Sequence, residues 1–286
     1  MKKILLATDF SANATHAAEY GYNLAKQIKA NIVLCNAIIV PAELPHAGVI
    51  VWPMEEYNTL SKRSADELKQ LKAHLEHRNN SGSFKPSISY VNEPGPVADV
   101  VNNIAVSQQI DLVIMGTHGG SGLSQLILGN HCRNMIDCTI KPLLLVPKAA
   151  AIVPIKKIAF STDFKQPEDN KVAIYALIPL ARLLKAEILI THVYDEKCIS
   201  SQFQHMVMQF LKELSDKSNY SHIYYRVIKD EQTESGLDWL CEHGKIDMLT
   251  MLHRPHNFFD SVLKGSHTQK MAGHISIPLL VFPAKR

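Results

Sequence analysis

The chain repeats itself. "KKILLATDF" at residues 2–10 returns as "KKIAFSTDF" at 156–164, and "KANIVLCNA" at 29–37 returns as "KAEILITHV" at 185–193. "IDLVIMGTHG" at 110–119 matches "IDMLTMLHRP" at 246–255, and the copies then run without a gap to "KPLLLVP" at 141–147 and "IPLLVFP" at 277–283. The period is far too long for a solenoid unit, whose repeats run about 20–50 residues. It is the length of a whole domain, and 286 residues hold two. The division falls at 1–148 and 154–286, with "KAAAIVP" at 148–154 between the copies. Any fold assigned to one half must therefore also suit the other.

In the first half, apolar runs at 3–8, 31–38, 86–91, 110–115 and 142–147 alternate with amphipathic stretches at 12–28, 56–78, 96–108 and 130–138. Runs rich in Val, Ile and Leu on both faces predict parallel strands covered by helices on both sides. The second half repeats the pattern, with strands near 156–162, 187–193, 222–228, 246–251 and 278–282. Two doubly wound α/β domains are expected. Such sheets bind ligands at the carboxyl ends of their strands, where strand order reverses. That rule brings together the end of the first strand, Ala7-Thr8-Asp9, and the end of the fourth, Met115-Gly116.

Composition narrows the function classes. The net charge is +3 with both signs interspersed and no long basic block, which argues against nucleic acid as the partner. The opening "MKKILLATDF" stops at Thr8-Asp9, too short for the apolar region of a secretory signal, and reads as a buried strand. No stretch approaches the roughly 20 apolar residues that cross a bilayer, so no membrane partner is expected. The five cysteines (Cys35, Cys132, Cys138, Cys198 and Cys241) are scattered and form no CxxC pair. Reduced, mostly buried thiols in a cytoplasmic protein are the reading.

After the fourth strand comes "MGTHGGSGLSQLILGNH", residues 115–131, with the spacing Gly116, two residues, Gly119, nine residues, Gly129 and then Asn130. Glycine lets backbone N–H groups come close to a ligand. A helix starting near Asn130 would aim free amides at the same space, which suits phosphate. A plain turn with Asn130 as helix cap explains the same residues. Other nucleotide and hydrolase motifs are missing: there is no GxxxxGK[ST], "GGSGLSQ" does not complete GxGxxG, and no GxSxG is present.

"KKILLATD" and the spacing of Gly116, Gly119, Gly129 and Asn130, together with the terminal "KPLLLVP", resemble the universal stress protein family, twice in tandem along the whole chain. The resemblance implies a five-stranded parallel sheet of order 3-2-1-4-5 in each half, and ATP at its carboxyl edge. By position it places Ala7, Thr8 and Asp9 near ribose and adenine, and Ala37 beside the adenine. Met115 and Gly116 would lie under the ribose and α-phosphate. Gly119, Gly129, Asn130 and His131 would cradle the phosphates, with Mg2+ or Mn2+ bridging phosphate oxygens. Asn130 stands where ATP-binding members usually carry Ser or Thr, and His131 where they carry a small apolar residue. Fifth strands in this family commonly pair across a twofold axis, so residues 142–146 and 278–282 would make an internal pseudo-dimer. Whether whole chains pair further as a homodimer is left open.

The second half departs from the pattern. Gly116 corresponds to Leu252 and Gly119 to Pro255, while Gly129-Asn130 corresponds to Gly265-Ser266. Leu252 would obstruct phosphate and Pro255 removes a backbone donor, so ATP is expected in the first half only. His192, His253, His256 and His267 are candidates to meet at one edge, as a metal site or, with Arg254, as an anion site. The apolar "HAGVIVWP" at 46–53 is a candidate lid or partner-facing patch. Three functional readings follow: a regulatory ATP-binding module, a slow ATPase with Asp9 and His118 at the rim, and a nucleotide-free scaffold acting through protein partners.

Overall fold

The computed structural model describes residues 1–39, 54–77, 84–117, 130–194, 200–254 and 267–284. The first half contains β1 (Lys3–Ala7), α1 (Ala12–Ile28), β2 (Asn31–Ile38), α2 (Met54–His77), β3 (Ile88–Pro94), α3 (Val97–Ser107), β4 (Leu112–Gly116), α4 (Asn130–Cys138) and β5 (Leu143–Val146). The second contains β6 (Lys157–Ser161), α5 (Pro167–Leu184), β7 (Glu187–Tyr194), α6 (Ser201–Lys217), β8 (Ile223–Lys229), α7 (Thr233–His243), β9 (Met248–His253), α8 (His267–His274) and β10 (Leu279–Pro283). Among the described residues, no helix is long and apolar enough to cross a membrane.

All ten strands form one sheet of order β3-β2-β1-β4-β5-β10-β9-β6-β7-β8. Within each half the neighbours are parallel, in the expected order 3-2-1-4-5. The halves join where β5 and β10 pair antiparallel, with Leu144 opposite Leu280. Those two leucines occupy equivalent positions of the repeat, so the halves are related by an approximate twofold through this pair. The join also covers what would otherwise be an open edge on each half. Because the strands of the two halves point in opposite directions, their carboxyl ends lie at opposite ends of the sheet.

The alternation of strand side chains divides the core into two layers, each running through both halves. Leu6, Leu34, Ile114, Phe160 and Ile190 face α1, α2, α5 and α6. Leu5, Val33, Val113, Leu145 and Leu249 face α3, α4, α7 and α8. Helices of the two halves also meet, α1 with α5 on one face and α4 with α8 on the other. Within the boundary stretch at 148–154 only Ala150 is buried, its carbonyl 2.9 Å from His16 Nε2 on α1, and Ile155, the next residue on, is buried as well.

Candidate functional site

The rim of the first half is built by its own hydrogen bonds. At the end of β1, the Thr8 N–H donates to the Cys35 carbonyl at 2.9 Å. Asn36 Nδ2 donates to the Thr8 carbonyl at 2.8 Å, and Ser64 Oγ of α2 donates to Asn36 Oδ1 at 2.8 Å. Thr8 Oγ1 then accepts from the Phe10 N–H, and Asp9 Oδ1 from the Ser11 N–H, both at 3.0 Å. Phe10 takes φ 64°, which turns the chain sharply into α1. Ser11 caps that helix by accepting from the Ala14 N–H. Cys132 Sγ on α4 lies 3.3 Å from the Gly116 carbonyl, which fixes the first turn of α4 beside the end of β4.

These elements enclose a cleft of about 210 Å³ at the carboxyl ends of β1, β2 and β4. Ala7, Thr8, Asp9, Ala37, Met115, Gly116 and His131 all line it. Its lining combines apolar groups, Val97 and Val101 of α3 with Ala37 and Met115, and polar ones, Asp9, Ser11, Asn13 and His131. Cys35 also lines the cleft, and burial, with Glu93 adding to it, pushes its thiol up to about 12. A neutral thiol at that depth is no nucleophile at pH 7.

Asn130 is the first residue of α4 and is exposed. Its N–H belongs to the first turn, whose donors have no partner within the helix. Gly119, Gly129 and His118 lie outside the described residues, as do residues 46–53. Asn36 and Ser64, which hold the rim turn, were missed by motif reading. The available signal was a polar Asn inside the apolar strand "NIVLCNAI".

Gly116 has a reason the sequence could not supply. A Cβ at this position would stand 2.8 Å from the Asn13 carbonyl oxygen and 3.0 Å from its carbon, in the first turn of α1. The glycine is therefore required by helix–strand contact, whatever the cleft contains. In the second half, α5 starts at Pro167, six positions after β6 ends at Ser161, whereas α1 starts at Ala12, five after Ala7. Leu252 occupies the equivalent position there, packing on the core while lining a second cleft.

Three of the four candidate histidines, His192, His253 and His267, line one cleft in the second half. His192 Nδ1 lies 2.8 Å from the Thr162 carbonyl, which makes it the donor and the counterpart of Asn36, and its ring packs on Phe164 and Phe203. Buried His253 has Nε2 3.0 Å from Asp137 of α4, and His267 Nδ1 lies 3.0 Å from Glu234 of α7. Each of these three imidazoles contacts a different segment of the chain. His256 and Pro255 lie outside the described residues, as do Gly265 and Ser266. No group of three or more His, Cys, Asp or Glu side chains suited to a metal occurs among the described residues. The four described cysteines form no disulfide; Cys35 and Cys132 are buried, whereas Cys138 and Cys241 are only partly so, and Cys198 lies outside the described residues.

The comparisons with known proteins agree with this architecture. The pattern of the universal stress protein family matches residues 1–147. Two universal stress proteins of Methanocaldococcus jannaschii are 27% identical over 157 residues and 28% identical over 150. Each match covers 51% of this chain, with 95% and 82% of the respective relatives. A solved universal stress protein from Archaeoglobus fulgidus aligns over 99% of this chain and 96% of its own with a TM-score of 0.72, at 15% identity, a likeness of fold. A matched first half, an equivalent second half and a shared full-length fold together make this chain a tandem member of the universal stress protein family.

Proposed function

We propose that the chain is a cytoplasmic regulatory module of two domains, 1–148 and 154–286, which binds ATP in the first and not in the second. The observation that carries this reading is that seven of the positions assigned by family resemblance line one cleft at the strand order reversal. The apolar residues Ala37, Val97, Val101 and Met115 suit a flat base, and Asp9 would accept from ribose hydroxyls. The phosphates would run toward His131 and the first turn of α4, where helix amides favour negative charge. A divalent ion would be held mainly by the phosphate oxygens it neutralises, as Mg2+ commonly is.

Support for restricting ATP to the first domain comes from the second cleft. Leu252 lines it, Thr233 replaces Val97, and Arg254 reaches into it to pair with Asp163 at 3.4 Å. The triphosphate and the base both lose their surroundings.

Thermal unfolding with and without ATP and Mg2+ tests the reading. A ligand that binds only the folded state at about 100 times its Kd stabilises by about 2.7 kcal/mol. A rise of several degrees with ATP is expected. An unchanged midpoint at millimolar ATP would replace this reading with the scaffold that acts through protein partners.

A further inference from the structure

The second cleft has kept its size and changed its chemistry. Both clefts measure about 210 Å³. Where the first presents Ala7, Asn36 and Val97, the second presents Ser161, His192 and Thr233. Two hydroxyls and an imidazole thus stand where the first cleft has two apolar side chains and an amide.

Arg254 enters this cleft from the end of β9. Its Nη1 donates to Asp163 Oδ1 at 3.4 Å and its Nη2 to Asn170 Oδ1 at 3.3 Å. Both are long beside the roughly 2.7–2.9 Å of a charge-assisted bond. Its Nε is buried and has no acceptor among the described residues. Asn170, on α5 and 1% exposed, lines the same cleft. Its oxygen is turned to Arg254, and its Nδ2 also has no acceptor among the described residues. Buried donors left unpaired are destabilising, so a pair of them at one cleft calls for an acceptor. Lys165 lines the cleft as a second cation, and α8 begins there with His267. The cleft thus gathers cations and spare donors around Asp163, the one carboxylate among its described lining residues.

We propose that the second cleft binds a small oxyanion of the phosphate-monoester class, held by Arg254, Asn170 and Lys165. Arg254 provides the planar fork and Lys165 a point charge. Asn170 keeps the fork in place through its oxygen and offers Nδ2 to the ligand. This site does not depend on the nucleotide in the first half, since the two clefts lie at opposite ends of the sheet.

The test is a titration of the intact chain with inorganic phosphate, followed by calorimetry and by the imidazole signals of His192 and His267. Phosphate is expected to shift both signals, and Arg254→Gln to weaken binding about tenfold or more. Ala37→Phe in the first cleft should leave phosphate binding unchanged, which separates this site from the ATP site. Acetate at equal concentration should not displace phosphate. If Arg254→Gln does not fold, Arg254→Lys keeps the charge and removes the fork, and a loss of about threefold or more is expected. Histidine signals that stay fixed to about 10 mM phosphate, far above a useful affinity, would overturn the proposal. So would equal binding by the folded Arg254 variant, or displacement by acetate.

Discussion

A methyl group at position 116 has nowhere to go, because the backbone of Asn13 already stands 2.8 Å away. Gly116→Ala is therefore expected to lower stability by about 1–3 kcal/mol in urea unfolding, with or without nucleotide. Stability unchanged without nucleotide would mean that the glycine serves only the ligand. The sequence marked this residue as special and its neighbour stayed hidden, because α1 and β4 meet only in the fold. Asn36 is the converse case. Asn36→Leu leaves the Thr8 carbonyl and the Ser64 hydroxyl without their partner, and about 1–3 kcal/mol should be lost. Asn36→His should recover part of it, because His192 makes the same contact to Thr162 in the second half. Equal stability of the Leu and His variants would show that this hydrogen bond does not hold the turn.

Elements were more legible than residues. Apolar runs located all ten strands to within a few positions, since a strand buried on both faces leaves a continuous signal. The individual partners of His192, His253 and His267 were not legible, because each lies in another segment of the chain, although all three line the cleft at that edge. His267 is an example: with Lys270 it ties α8 to Glu234 of α7, at 3.0 and 2.7 Å. Burial opposes ionisation of Glu234, but Lys270, its own backbone N–H and His267 together outweigh it and hold the carboxyl at about 2. A carboxyl lowered by folding contributes stability above its unfolded value, near 4.5, and loses it as the pH falls toward about 2. Glu234→Gln should therefore cost about 0.5–1 kcal/mol at pH 5, allowing for the exposure of the cations, and progressively less toward pH 2. A cost independent of pH across that window would assign the effect to packing.

At the scale of the whole molecule, duplication was legible and fusion was only partly so. The repeat predicted two domains, and the family resemblance implied that residues 142–146 and 278–282 would pair. It did not reveal that both core layers run unbroken through the join, or that Ala150 of the boundary stretch is anchored in one of them. Those shared cores should make unfolding in urea a single transition, with hydrogen exchange slowing together in β2 and β7. Two well-separated transitions would show that each half stands alone. The central claim, one nucleotide held by the first half, is tested most directly by calorimetric titration of ATP with Mg2+ into three proteins. These are the intact chain, Ala37→Phe, which fills the first cleft, and Val193→Phe, its equivalent in the second. The account predicts one ATP per chain, lost in folded Ala37→Phe and kept in Val193→Phe. Two ATP per chain, or ATP retained by Ala37→Phe and lost by Val193→Phe, would contradict it.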